Sequence, residues 1–432
     1  MIWRELPVIV MLVLGSGTIL LAQQVIPPDP VPRWWKGNLH THTFWSDGDD
    51  FPEMVAEWYR DRGYHFLALS DHNILSQGQR WVKVSYVEQR GGRIALDKYL
   101  ARFGPDWVQF RSGDDGAREV RLKPLNEFRA LVEERGRFIM IQSEEISDAF
   151  EGAPIHINAT NLVELIEPQK GTSIVHTIEN NFHAIQEQSR RSGQQILPHL
   201  NHPNFQWAIT AEDIAEAVSD QFFEVFNGHP MVNQLGDEQH VPVERMWDIA
   251  NTLRLKRFNA PPLYGLATDD SHHHHFGGMN RSSPGRGWVM VRARHLTPES
   301  LITAMKSGDF YASTGVTLRE VHFDASTGQL SIQIEPDGQA TFTTQFVGTA
   351  KDADISGSPG PATQRATRVY SEQIGRIFAT VPGTSPSYRL SGQELYIRAV
   401  ITSSRPHPVP VWPGQLQQAW TQPVGWQVRH GQ

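Results

Sequence analysis

Short apolar runs alternate with amphipathic stretches along most of this chain. Phe66–Leu69, Phe138–Ile141, Phe222–Phe226, Leu263–Ala267 and Trp288–Val291 have the pattern of strands buried on both faces. Between them the apolar period lengthens to that of helices, over residues 52–62, 124–135, 178–192, 211–219, 243–253 and 298–307. Thr210 before Ala211-Glu212-Asp213, and Thr297 before Pro298-Glu299, read as N-caps, because each sets a hydroxyl ahead of an acidic first turn. Strand and helix alternating over about 280 residues predict a parallel sheet, and at that length a βα barrel. Residues 77–123 interrupt the rhythm as an insertion after the second strand.

Beyond Leu318 the period drops to two. Val321–Phe323, Gln329–Ile334 and Tyr396–Ile401 alternate between clusters of Gly, Pro, Ser and Asp, which predicts a small antiparallel β-sandwich over 318–432. Trp412, Trp420 and Trp426 are expected to pack on it or on the barrel. At the other end, Leu6 to Ala22 carries no charge and follows Arg4 closely, the pattern of an export segment. It is a little longer than the apolar core of a signal peptide and sits at the lower edge of a membrane span, so residues 1–22 are either cleaved or kept as an N-terminal anchor. A Pro-rich connector, 23–33, leads to the barrel at 34–317. The expected location is the periplasm or the cell exterior.

Composition narrows the chemistry. Of 432 residues 39% are hydrophobic and 20% charged, enough apolar material for a sizeable core. A net charge of −8 argues against a stable nucleic-acid partner. There is no cysteine, and there are 19 histidines. The first count excludes disulfides, thiolate nucleophiles and sulfur-bound metals, so a metal here has nitrogen and oxygen ligands.

The histidines follow the strands. Asn38-Leu39-His40-Thr41-His42 sets two imidazoles on one side of an extended segment, with Asp47 in the next turn. The second strand ends in Asp71-His72 and the third in Glu144-Glu145. His156 follows, then His199 and His202, then Asp269-Asp270-Ser271-His272. In a parallel barrel all strand C-termini open on one face, where these groups would converge on metal. In the run His272–His275, spacing selects His272 as the ligand and leaves the other three around it or toward solvent.

His40-Thr41-His42-Thr43, Ser70-Asp71-His72-Asn73, Glu145, His156, His202-Pro203 and Asp270-Ser271-His272, in that order, resemble the PHP (polymerase and histidinol phosphatase) metal-dependent phosphoesterases over residues 34–316. The resemblance implies an α/β fold, a distorted (β/α)7 barrel with two or three divalent ions at its C-terminal face. It implies one ion held by His40, His42, Glu145 and Asp270, a second by Asp47, His72 and His272, and a third by Glu145, His156 and His202. Glu144, Asp269 and His199 stand as neighbouring alternatives, and zinc, manganese and iron all suit such ligands.

Paired ions lower the pKa of a shared water and neutralise the phosphoryl oxygens, so the expected nucleophile is a metal-bridging hydroxide and not a side chain. Arg286 is a candidate phosphate clamp, by arginine's fork geometry, and Lys36 a weaker one. The leading expectation is an exported phosphoesterase of small substrates such as sugar phosphates or nucleotides. Hydrolysis of a C–N or C–O bond, and a non-catalytic metal-loaded scaffold for a glycan- or protein-binding sandwich, are the alternatives.

Overall fold

The first strand, β1 (Arg33–Asn38), becomes buried toward its C-terminal end and carries the chain straight into the histidine pair. The structure, a computed structural model, describes residues 29–360 and 365–427. The chain divides into residues 1–31 and residues 32–432, and every element named here belongs to the second unit. The expected export segment and most of the connector lie outside the described residues. Among the described residues no helix is long and apolar enough to cross a membrane.

After β1, helix α1 (Pro52–Arg60) opens on a proline whose fixed φ suits the first turn, and β2 (Phe66–Leu69) is buried at every position. The insertion follows: β3 (Arg80–Lys83), α2 (Val84–Phe103), β4 (Phe110–Ser112) and β5 (Arg118–Leu122), whose strands form a small antiparallel sheet of their own. The main body resumes with α3 (Leu125–Val132), β6 (Ile139–Phe150), β7 (Ala153–Thr160), α4 (Ile174–Ser192), β8 (Leu197–Leu200), α5 (Ala211–Glu216), β9 (Phe222–Asn227), α6 (Val243–Leu253) and β10 (Tyr264–Thr268). Next come β11 (Trp288–Ala293), α7 (Pro298–Lys306) and β12 (Phe310–Ser313). Both expected caps are present: Thr210 and Asp213 form a capping box on α5, and the Thr297 side chain accepts from Ser300 N–H on α7.

The sheet is only partly parallel, which corrects the sequence expectation. β10–β9–β8 and β6–β2–β1 are parallel, but β7 runs antiparallel to both β6 and β8. A two-residue turn at Glu151 and Gly152, both at positive φ, leaves no room for a crossover helix, so β6 and β7 form a hairpin. β11 follows residues 269–287, which form no helix, and pairs antiparallel with β1. No ladder joins β10 to β1. Their extensions meet instead: Asp270 N–H donates to His40 C=O at 3.0 Å and His42 N–H to Ser271 C=O at 2.9 Å. Phe66, Ile141, Leu197, Phe222, Leu266 and Val289, from six strands, share one apolar cluster, which requires those strands to curve around it. Trp247 of α6 and Phe182 of α4 belong to a separate cluster on which the helices pack.

The sheet continues into the C-terminal region. There β13 (Leu318–Asp324), β14 (Gln329–Ile334), β15 (Phe342–Ala350), β16 (Arg376–Pro382), β17 (Ser387–Arg389), β18 (Glu394–Pro406) and β19 (Leu416–Thr421) are all antiparallel. β19 pairs with β12, so one sheet of 13 strands runs from β10 to β16, while β13, β14 and β17 form a second sheet that shares an apolar cluster with it. Trp420 stacks on Phe226 of β9, with ring centroids 6.1 Å apart. Beside them Asp248 of α6 receives a two-pronged Arg398 guanidinium, at 3.0 and 2.7 Å, and the Tyr396 hydroxyl at 2.7 Å. Arg398 is 1% exposed. Asp248→Ala should therefore cost about 3–5 kcal/mol, the price of a buried charge without its partner, read as a fall in the urea midpoint.

Candidate metal centre

Four loops and one hairpin deliver the polar groups. The two-residue spacing of His40 and His42 puts both rings on the same side, 5.2 Å apart by centroid. Alternation along β6 sends Glu145 into the cluster and Glu144 away from it, to accept from Ile166 N–H at 2.8 Å. The hairpin brings His156 over Glu145, Nδ1 to Oε1 2.9 Å. Asp270 has a left-handed backbone, φ 47°, an uncommon state for a residue with a side chain. That twist turns Asp270 toward His40 and His42, while Asp269 accepts from the amides of Gly285, Arg286 and Gly287 and from the Tyr59 hydroxyl. His202 Nε2 stands 3.4 Å from Glu145, whereas His199 sits behind the cluster, 3.5 Å from Glu224.

Three atoms at the centre, His40 Nε2, His42 Nε2 and Glu145 Oε2, are buried without a hydrogen bond. The histidine nitrogens lie 3.4 Å from Glu145 Oε2 and 3.3 and 3.2 Å from Asp270 Oδ1. Ligands on bonds of about 2.0–2.1 Å stand about 3.3–3.4 Å apart in a tetrahedral shell, and these histidine–carboxylate separations fall near that range. His40, His42 and Glu145 form one group that could hold an ion, and Asp270 falls in another with His40 and His202. A further group, His42, Asp47, His72 and His272, lies toward the surface, and two more are His72, Glu145 and His156, and His40, His199 and Glu224. All nine residues expected as ligands are thus brought together, and Glu145 belongs to more than one group.

The rings are held from behind. Glu224 Oε1 is 2.7 Å from His40 Nδ1 and the Asp270 carbonyl is 2.9 Å from His272 Nδ1, which leaves the Nε2 of each facing the cluster, while His72 Nδ1 lies between Ser147 Oγ at 2.6 Å and Glu145 Oε2 at 2.8 Å and its Nε2 faces Asp47. Asp71 accepts from the amides and hydroxyls of Thr43 and Ser46 and so fixes the turn that carries Asp47. Glu224 was missed as a site residue by sequence reasoning, although its signal was present: an acid inside Phe222–Phe226, a run otherwise buried and apolar, needs a partner. His229, whose ring lies 5.4 Å from that of His272, was also missed and had no signal beyond its position after a strand.

Other expectations are corrected. Arg286 is fully buried and donates to the carbonyls of Gly228, Gly278, Val409 and Pro410, so its guanidinium ties loops together instead of facing substrate. Lys36 lies over the rings of Tyr64 and Trp288, each at 3.8 Å. Of the remaining histidines in the run, the His275 ring is buried 3.4 Å from Asp50, and His274 donates its amide to Asp49.

Burial disfavours every charge here, and the histidines and carboxylates answer one another. Burial would push Glu145 up, yet His72, His40 and His156 hold it well below the usual carboxylate range. His72, despite burial, is raised to about 9 by Glu145 and Asp47, while burial and the neighbouring His272 and His72 depress His42 to about 3.

No family model matches the chain, and no curated protein matches it. Among solved structures, it is similar to a two-domain protein from Bacteroides vulgatus containing a predicted PHP-like metal-dependent phosphoesterase, at 11% identity and a TM-score of 0.37, over 91% of this chain and 97% of that one. It is also similar to a candidate metal-dependent phosphoesterase from Bifidobacterium adolescentis, at 11% identity and a TM-score of 0.28, over 57% of this chain and 90% of that one. The chemistry of this centre rests on its own side chains.

Protons and metal compete for the same nitrogens. His72 is raised above its unfolded value, so in the metal-free protein its stabilising contribution is complete below about pH 6.5 and is lost as pH rises through about 9. The chelated protein should lose thermal stability across that window and the metal-loaded protein should not. Zinc or manganese titration at pH 7 should release protons, detected calorimetrically in buffers of different ionisation enthalpy.

Proposed function

We propose that this protein is a metal-dependent phosphoesterase of PHP type, exported, that hydrolyses small phosphate esters of the sugar phosphate or nucleotide kind. The observation that carries the reading is the convergence of His40 Nε2, His42 Nε2, Glu145 Oε2 and Asp270 Oδ1, buried, with each histidine nitrogen 3.2–3.4 Å from both carboxylates, and with further ligand groups beside them. The strands that curve around their shared apolar cluster serve as the distorted (β/α)7 barrel, residues 34–317. Residues 318–432 serve as an accessory sandwich.

Two or three divalent ions bound there, zinc, manganese or iron, would acidify water and neutralise the phosphoryl oxygens. The chain's own part is positional. Glu224, Ser147 and the Asp270 carbonyl fix the ring orientations of His40, His72 and His272, so that little reorganisation is left for the reaction. Water is the nucleophile in this reading. The chain has no thiol. Export rests on the uncharged run Leu6–Ala22.

The protein loaded with manganese or zinc should hydrolyse an aryl phosphate or a nucleoside monophosphate. His40→Ala should lower kcat by at least about 100-fold while circular dichroism stays unchanged. Inertness toward all phosphoesters with activity on esters or amides would replace this reading by C–O or C–N hydrolysis. Less than one metal ion per chain would end it. Glu224→Gln, which keeps the shape but removes the charge behind His40, should weaken metal affinity about 10–100-fold, measured by competition with a chelating dye.

A further inference from the structure

The insertion after β2 stands at the edge of the metal cluster and is fixed there by several contacts. Helix α2 lies against the turn that carries Asp47: the Tyr86 hydroxyl donates to Ser46 C=O at 2.8 Å, and Tyr99 stacks on Phe51 with centroids 3.8 Å apart and planes 8° from parallel. Two glycines permit this approach. A Cβ on Gly91 would collide with the Asp49 carbonyl oxygen, and Gly92, at φ 70°, kinks the helix in a conformation that side chains rarely adopt.

Arg90 precedes that pair. Its Nη2 is 4.0 Å from Asp47 Oδ2, and its Nε is buried without a hydrogen-bond partner. The side chain is 32% exposed and Asp47 45%, which places both at the open end of the cluster. This guanidinium therefore differs from that of Arg286, whose nitrogens are spent on carbonyls: it has donors to spare beside the most exposed of the candidate ligands. The exposed part of this guanidinium could donate charge-assisted hydrogen bonds to an anion at the mouth.

Resting on the phosphoesterase reading above, we propose that Arg90 binds the phosphoryl group of the substrate and selects phosphate monoesters. The monoester dianion carries three terminal oxygens and more charge than a diester, so an extra guanidinium favours it. The insertion is in this view a wall of the site that supplies the anion contact which Arg286 does not.

The test uses the full chain loaded with manganese, inorganic phosphate as the probe in calorimetry, and Arg90→Gln and Arg90→Lys as variants, with metal content measured on each. Arg90→Gln should weaken phosphate binding about 10–100-fold, and Arg90→Lys by less. Arg90→Gln should also lower the ratio of kcat/KM for aryl phosphate to that for bis-aryl phosphate. Phosphate binding equal to wild type in both variants would overturn the role of Arg90 and leave the phosphoesterase reading standing. No phosphate binding and no phosphoester hydrolysis by the wild type would overturn both. If Arg90→Gln loses metal, Arg90→Lys decides, since it keeps the charge beside Asp47: weakened phosphate binding supports the proposal, and unchanged binding overturns it.

Discussion

Glu145, Asp270 and Glu224 lie almost wholly out of water, and three carboxylates so placed are tolerable only if positive charge is brought to them. The surrounding histidines answer that requirement in the metal-free chain, and metal ions would answer it more strongly. Much of the local architecture follows from the same demand. Glu224 accepts from Thr268, Asn227 and the amide of His202 in addition to facing His40, so the acid of one strand also organises the ends of its neighbours.

The backbone departures from regular structure fall where the cluster needs them. The β6–β7 hairpin replaces a crossover helix, and it is the hairpin that carries His156 over Glu145 and sets Ser147 behind His72. The left-handed Asp270 separates two adjacent aspartates, one toward the ligands and one toward the amides of 285–287. The ends of β1 and β10 are tied where Thr41 lies beside Ser271, by backbone hydrogen bonds from Asp270 to His40 and from His42 to Ser271, in the middle of the two ligand motifs. An ion bound by His40, His42 and Asp270 would cross-link that seam. Metal loading would couple to stability through this geometry.

The C-terminal strands join the same sheet through β12 and β19, and the Asp248–Arg398 pair and the Phe226–Trp420 stack add contacts on α6 and β9. β9 carries Glu224 on the strand that also presents Phe226 to Trp420. The C-terminal region thus buttresses a strand of the site while remaining far from the ligands in sequence.

Much of this was legible along the chain, for local reasons. Residue type and two-residue spacing mark His40, His42, Asp270 and His272 as ligand pairs, four- and five-residue apolar runs mark the buried strands, and a threonine before acidic residues marks the caps of α5 and α7. Facts that depend on where a side chain points needed the fold. Glu144 and Glu145 are the same residue type one position apart, and only pleat and register decide which faces the cluster. The direction of β7 depends on whether the connection after β6 is long enough to cross over, which an apolar pattern does not record. Arg286 and Arg90 look alike in sequence, yet one is enclosed by four carbonyls and the other stands open beside Asp47. The sequence by itself determined the ligand chemistry, because that chemistry resides in residue types. The tertiary structure decided orientation and partnership, because hydrogen bonds and burial are made by groups far apart in the chain.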